Sequence, residues 1–289
     1  MEKLRAADVA VAEQATACRP EETTRATVRR DLLAPPPPDL LRHVERAPLA
    51  NVWEQLNHQM LYSKYFGLKG VVKKLAEAGD PKLLMVKAVV DELKELALGG
   101  ALEVKVVWRF FPAEASGERL RLLDPQTGAL AAEWELPRQP SGERLCLADY
   151  VLPNDHVALF VTTAGAGVRE RAEAWKAAGE YLKSHGWASL ALESAEAAAE
   201  WLHMRLRAAW GFPDPPELQP GDRFAARYRG RRYSFGYPAC PDLAGQRQLF
   251  AALAPEEIGV HLTEGDMMDP EASVSALVFQ HPDAKYFAV

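Results

Sequence analysis

Apolar positions recur at two different spacings along the chain, and these spacings predict an alternation of strands and helices. A spacing of three to four residues predicts a helix over residues 82–98, which starts after Pro81 and ends at Gly99-Gly100. A longer helical region is predicted over residues 168–210, with Gly186 as a candidate break. Runs of β-branched and aromatic residues predict strands. These strands are expected at residues 104–110, 156–163, 259–262, 273–279 and 285–289, with a hairpin at 120–136.

Strands interrupted by long helices predict an α+β fold, in which helices pack on one side of a sheet. The first 47 residues differ from the remainder. Residues 2–17 carry strong helix formers, and Pro35 to Pro38 are four consecutive prolines. A proline run favours a stiff extended spacer. We therefore expect residues 1–47 to be a linker with a proline-rich spacer, and residues 48–289 to be one compact domain.

Composition and charge narrow the class of protein. The 289 residues are 48% hydrophobic and 26% charged, with a net charge of −6. This acidic balance disfavours nucleic-acid binding, which needs clustered Lys and Arg. No apolar run approaches the roughly 18 residues of a membrane span, so no membrane partner is expected. Cys18, Cys146 and Cys240 are widely spaced and odd in number, which disfavours a disulfide framework and favours a reducing cytoplasm.

The run from Arg232 to Pro241 (Arg-Tyr-Ser-Phe-Gly-Tyr-Pro-Ala-Cys-Pro) carries the clearest candidate chemistry. Two prolines predict a rigid, partly extended loop. Gly236 permits a positive φ or the close approach of a ligand to the backbone. The guanidinium of Arg232 offers a planar fork that suits a carboxylate or a phosphate. A surface turn with an incidental arginine is the alternative from composition alone.

A second candidate lies on the long helix, where Glu196, Glu200 and His203 share one face by their spacing. A solvated helix face and a metal site both fit this pattern. A carboxylate-bridged metal pair needs a second Glu-x-x-His on another helix, and the chain has none. No metal ligand is therefore expected.

Three segments resemble the activation domain of cobalamin-dependent methionine synthase. The run Arg-x-x-x-Gly-Tyr-Pro-Ala-Cys-Pro at 232–241 is similar to its S-adenosylmethionine-binding signature. Residues 195–203 resemble a helix segment of the family, and Ala272-Ser-Val-Ser followed by His281-Pro-Asp-Ala-Lys-Tyr resembles its closing strands. Weaker similarities extend over residues 48–289. The resemblance implies a single twisted, mainly antiparallel sheet with long helices packed on it.

The resemblance also implies a ligand site. Arg232 would hold the carboxylate of S-adenosylmethionine, Glu196 would contact the nucleoside, and the backbone near Ser234 would read the adenine edge. At Asn57 the family often carries an acidic residue, so this chain departs from the family there. The expected ligand-binding residues are Arg232, Ser234, Gly236, Tyr237, Glu196, Tyr286 and Asn57. No catalytic acid or base is expected.

The function that the resemblance implies is part of a methyltransferase. The domain would bind S-adenosylmethionine and support the reductive methylation of cob(II)alamin to methylcobalamin. Its partners would be a cobalamin-binding module and flavodoxin or an equivalent reductase. The cobalamin-binding Asp-x-His-x-x-Gly motif is absent, so cobalamin would be bound by the partner module.

Two alternatives remain at this point. The chain could serve mainly as a docking module that recruits the reductase to a cobalamin module, with little turnover of its own. It could also be an unrelated thiol enzyme built on Cys240, which would need a nearby base or helix N-terminus to lower the thiol pKa.

Overall fold

The computed structural model describes residues 28–289, so the helix predicted over residues 2–17 lies outside the described range. Within residues 28–289 seven strands form one antiparallel sheet: β1 (His43–Ala47), β2 (Val104–Ser116), β3 (Arg119–Leu123), β4 (Leu130–Glu135), β5 (Asp155–Thr163), β6 (Arg231–Tyr233) and β9 (Ser273–Phe279), with β7 (His261–Leu262) and β8 (Met268–Asp269) forming a separate ribbon. The order of the strands is β4-β3-β2-β5-β9-β6. Strand β1 pairs with the first half of β2, and β3 pairs with its second half.

The helices lie mainly on one face of this sheet. The α-helices are α1 (Leu49–Trp53), α2 (His58–Met60), α3 (Val72–Glu77), α4 (Pro81–Leu96), α5 (Val168–Ala177), α6 (Tyr181–Ala209), α7 (Pro220–Phe224) and α8 (Gln246–Leu253). The 16-residue α4 and the 29-residue α6 pack against each other, and α6 also contacts β2, β5 and β9. Single π-helical turns follow α2 (Leu61–Tyr65) and α4 (Ala97–Ala101). The α+β prediction of long helices on a mainly antiparallel sheet is confirmed.

Both faces of the sheet are buried, because successive side chains of a strand point to opposite sides. In β2, Val106 and Phe110 pack with the α6 side, and the indole of Trp210 meets the ring of Phe110 edge-on at 5.0 Å. Val107 and Phe111 belong to a second core on the opposite face, which α8 covers. Within the described residues, no helix is long and apolar enough to cross a membrane.

Two predicted elements differ in the structure. The break in the long helical region falls at Gly179, which has a φ of +81°, and not at Gly186. Gly186 lies inside α6, where an added Cβ would come within 2.8 Å of Leu93 Cδ1, so this glycine permits close packing of α4 and α6. Residues 285–289, predicted as a strand, have no regular secondary structure.

The sheet also includes part of the predicted linker. Strand β1 pairs with β2 over five residues, from His43 opposite Trp108 to Ala47 opposite Val104. Val28 and Ala34 are buried. Because these residues pack against the domain, the packed part of the chain extends N-terminal of the predicted boundary at Pro48.

Candidate functional site

Arg232 lies on β6, the last strand of the sheet within residues 28–289, where it pairs with Val278 of β9. After Tyr233 the chain leaves the sheet and turns back on itself. The N–H of Gly236 donates to the carbonyl of Cys240 over 3.0 Å, and the N–H of Cys240 donates to the carbonyl of Tyr237 over 2.9 Å. The prolines predicted a rigid loop, and these backbone hydrogen bonds provide the rigidity.

Gly236 gives the loop its direction. Its φ of +82° lies in the left-handed region that favours glycine. A Cβ at this position would come within 3.0 Å of Leu243 Cδ1. The loop is tied to β9 as well, because the hydroxyl of Ser234 donates to the carbonyl of Ser275 over 2.6 Å. The loop is therefore held at the end of β9 with little freedom.

The loop forms one wall of a cavity of about 670 Å³. This volume falls in the range of roughly 300–1,000 Å³ that is usual for ligand sites. Six of the seven residues predicted from the sequence line this single cavity: Glu196 from α6, Arg232, Ser234, Gly236 and Tyr237 from β6 and its loop, and Tyr286 from the segment after β9. Residues up to 90 positions apart in the chain thus meet at one place.

Asn57, the seventh predicted residue, does not line the cavity. Its side chain caps the short helix α2 by accepting a hydrogen bond from the N–H of Met60 over 3.1 Å. Asparagine is among the preferred residues at a helix N-cap. The ligand contact expected at Asn57 stays a prediction, and its amide oxygen has a structural role in capping α2.

Two carboxylates also line the cavity. Glu196 and Glu271 both line it, and no Lys, Arg or His nitrogen within residues 28–289 lies within 4 Å of either carboxylate. Their charges reach neighbouring side chains. Burial, followed by the charges of Glu193, Glu196 and Glu271, raises the pKa of the adjacent Tyr65 to about 12. The cavity thus carries unpaired negative charge in addition to the positive charge of Arg232.

Arg232 contacts a buried carboxylate behind the cavity wall. Its Nη1 donates to Glu200 Oε2 over 2.6 Å and lies 3.5 Å from Nδ1 of the buried His203. Burial and the charges of nearby arginines hold the pKa of His203 well below its usual value. A fixed guanidinium between Glu200 and His203 disfavours the metal site considered from their spacing, since it would repel a cation.

Cys240 is a buried residue of the loop itself, and its thiol donates to the carbonyl of Ser234 over 3.1 Å. Burial raises its pKa to about 12. A thiol enzyme needs a thiolate at neutral pH, so this environment disfavours the alternative built on Cys240. The residue instead helps to fix the loop.

Glu271 and several neutral residues of the cavity wall were not predicted from the sequence. Glu271 directly precedes the Ala272-Ser-Val-Ser motif, and this position next to a family motif could have indicated that it belongs to the site. Ser275, within the same motif, lines the cavity and donates its hydroxyl to the amide oxygen of the buried Gln246 over 2.8 Å.

Comparison with known proteins decides the family. The profile of the family described as "Vitamin B12 dependent methionine synthase, activation domain" matches residues 48–289. The chain belongs to this activation-domain family. Its sequence is 32% identical over 300 residues to a methionine synthase of Mycobacterium tuberculosis and 30% identical over 299 residues to one of Mycobacterium leprae.

In each case the match covers 93% of this chain but only 24% of the relative, so the chain spans about a quarter of the length of these methionine synthases. Among solved structures, a crystal structure of the MetH reactivation domain bound to AdoHcy matches with a TM-score of 0.83 and 27% sequence identity. That match covers 91% of this chain and 85% of the other, so the activation-domain fold extends over nearly all of the described residues.

Proposed function

We propose that this chain binds S-adenosylmethionine in the cavity between α6, the loop after β6 and residue Tyr286. The observation that carries the proposal is that the guanidinium of Arg232, two unpaired carboxylates and a glycine-containing loop all line a single cavity. The ligand offers a matching set of groups: a carboxylate, an ammonium, a sulfonium and a nucleoside. A relative of the same fold is described as bound to AdoHcy, which supports the choice of ligand class.

Each wall of the cavity has a role in this proposal. Arg232 holds the carboxylate of the ligand, because a guanidinium pairs with a carboxylate through two parallel hydrogen bonds. Glu196 accepts hydrogen bonds from the ribose or the ammonium. The backbone from Ser234 to Gly236 approaches the adenine. Tyr237 and Tyr286 provide ring faces that accommodate the sulfonium.

The chemistry that this binding serves is the repair of cobalamin held by a partner module. One electron from flavodoxin or an equivalent reductase and the methyl group of S-adenosylmethionine convert cob(II)alamin to methylcobalamin, and S-adenosylhomocysteine leaves. The residues of this chain orient the ligand and need no general acid or base, since the cofactor carries out the methyl transfer. We place the reaction in the cytoplasm, as the cysteine pattern predicts.

Calorimetric titration with S-adenosylmethionine tests the proposal. Arg232→Ala should weaken binding by about 1.5–3 kcal/mol, the value of a charge-assisted hydrogen bond, or roughly ten- to a hundredfold. Arg232→Lys retains the charge at Glu200 but loses the planar fork, so it should also bind weakly while remaining folded. Arg119→Ala, at an exposed arginine of β3, is the matched control. Absence of binding by the unsubstituted chain at millimolar ligand rejects the proposal.

Exposed apolar groups at the mouth of the cavity favour a docking role as a second function. Tyr237 is 61% exposed, and Tyr286 and Met267 are each 56% exposed. All three line the same cavity, so a module that docks there would cover the ligand. Capture of a cobalamin-loaded module of methionine synthase by the immobilised chain, with and without ligand, tests this role. Capture that is unchanged by Tyr237→Ser and Tyr286→Ser would count against docking at this mouth.

A further inference from the structure

Arg232 is attached to α6 by an ion pair that lies behind the cavity wall. The bond from its Nη1 to Glu200 Oε2 measures 2.6 Å, and the two side chains are 19% and 7% exposed. Burial acts to lower the pKa of Arg232, but the charge and hydrogen bond of Glu200, together with Tyr228 and Tyr286, more than reverse this, so its pKa lies above the usual value. The guanidinium is therefore charged and held on its inner side.

The outer side of the same guanidinium is left open. Within residues 28–289, neither Nε nor Nη2 of Arg232 makes a hydrogen bond, and the residue lines the cavity. Nε and Nη2 form the edge that binds a carboxylate through two parallel bonds. Because Glu200 takes Nη1 from behind, it leaves this edge for a ligand. An arginine without that anchor could turn about several single bonds.

Glu200 would by itself repel a ligand carboxylate, but further charges compensate for it. Its Oε1 lies 3.8 Å from Nη2 of Arg207, which is almost fully buried and forms a bidentate pair with Asp214 at 2.6 and 2.7 Å. Arg223 donates to Asp214 over 3.1 Å. Three guanidinium groups and two carboxylates therefore alternate, and this buried row has a net charge of +1. The positive end at Arg232 faces the cavity.

We propose that Glu200 is a positioning residue, which acts only through Arg232 to present the Nε–Nη2 edge to the carboxylate of S-adenosylmethionine. The proposal rests on the proposed function, because it assigns a role to a residue that does not touch the ligand. It explains why Glu200, four residues from Glu196 on the same helix, is buried while Glu196 is exposed to the cavity. The two glutamates have different tasks on one helix face.

Two substitutions of Glu200 distinguish the effect of its side-chain length on the position of Arg232 from the effect of its charge. Glu200→Asp retains the charge but shortens the side chain by one methylene, so Arg232 loses its anchor. Glu200→Gln retains the length and the acceptor oxygen but removes the charge. We expect Glu200→Asp to weaken S-adenosylmethionine binding about tenfold, comparable with one charge-assisted hydrogen bond, and Glu200→Gln to stay within about threefold of the unsubstituted chain by that same reasoning.

A ligand that lacks the carboxylate tests the same contact from the other side. Decarboxylated S-adenosylmethionine retains the sulfonium, the ammonium and the nucleoside but lacks the group that Arg232 holds. Its affinity, measured by competition, should be the same in Glu200→Asp as in the unsubstituted chain. If Glu200→Asp binds both ligands with equally reduced affinity, or binds S-adenosylmethionine normally, the positioning role is wrong.

A double-mutant cycle is a second, independent test of the positioning role, and it can be used even if Glu200→Asp folds poorly. Glu200→Ala should weaken S-adenosylmethionine binding in the unsubstituted chain but should have no effect in the Arg232→Ala background. Equal losses in the two backgrounds overturn the proposal. If the unsubstituted chain does not bind the ligand at all, the proposed function fails, and that outcome is distinct from the failure of Glu200 as a positioning residue.

Discussion

A buried carboxylate next to the site allows a quantitative prediction about stability and pH. Glu193 lies on α6, is only 5% exposed, and has no ion-pair partner within 4 Å among residues 28–289. Burial first, and the charge of Glu196 second, raise its pKa from the usual 4.5 to about 7, although Lys64 and the N–H of Asn57 act in the opposite direction. The perturbation that we choose is Glu193→Gln, which keeps the shape of the side chain and removes the titration.

The sign follows from the direction of the change in pKa. A carboxyl group whose pKa is higher in the folded chain than in the unfolded chain disfavours folding once it ionises. Below pH 4.5 Glu193 is neutral in both states and has no such cost. The cost grows as the pH rises toward about 7 and is complete above it. At about 1.4 kcal/mol for each tenfold change in the proton equilibrium, the full loss of stability is about 3 kcal/mol.

Urea unfolding at a series of pH values from 5 to 8 measures this effect. Glu193→Gln should differ from the unsubstituted chain by no more than about 1 kcal/mol at pH 5, and should be about 3 kcal/mol more stable at pH 8. Glu173→Gln, at an exposed carboxylate on α5, is the matched control and should show no such gain. A stability difference that stays constant with pH would refute the reasoning, because it would mean that Glu193 titrates alike in both states.

Two glycines next to the loop give further predictions. Gly245→Ala should lower the free energy of unfolding by about 1–3 kcal/mol through overpacking, because the new Cβ would come within 2.3 Å of the buried ring of Phe235. Urea unfolding checks this, with Gly99→Ala as a neutral control, since nothing lies within 4 Å of its added Cβ. Gly236→Ala should lose about 1–2 kcal/mol to left-handed strain and, by calorimetry, should bind S-adenosylmethionine more weakly, while normal affinity there would show that the loop backbone does not contact the ligand.

The sequence predicted the elements well where a local pattern determines them. The helix at 82–98 follows from the spacing of apolar residues, and the strands at 156–163 and 273–279 follow from runs of β-branched and aromatic residues; the structure has all three within a few residues. The position of the helix break was not determined in this way, because a glycine can either end a helix or allow another helix to approach. Gly179 does the first and Gly186 does the second, and only the neighbouring helix distinguishes them.

The site residues that could be predicted from the sequence are those that lie in recognisable motifs. Arg232 and Tyr286 stand in segments that resemble the family, and the cavity contains both. Asn57 stood in a weakly matching segment, where a capping asparagine and a ligand-binding asparagine look alike. The pairing of Arg232 with Glu200 could not be predicted, because 32 residues separate them and nothing in the spacing along α6 indicates which carboxylate faces a strand of the sheet.

The segment that carries Tyr286 has no regular secondary structure, and side chains make most of its ties to the fold, among them Gln139 with the carbonyl of Ala288 and Glu143 with Lys285. Tyr233 donates its hydroxyl to the carbonyl of Lys285 over 2.8 Å, and the N–H of Val289 donates to the carbonyl of Pro238 over 3.1 Å. Segments without regular structure open locally at a lower free energy than the sheet does. A ligand that touches Tyr286, β6 and α6 together joins this segment to the sheet and to the 29-residue helix α6. Hydrogen exchange at residues 284–289 should therefore slow more on ligand binding than exchange in the sheet, so this short segment would report occupancy of the cavity.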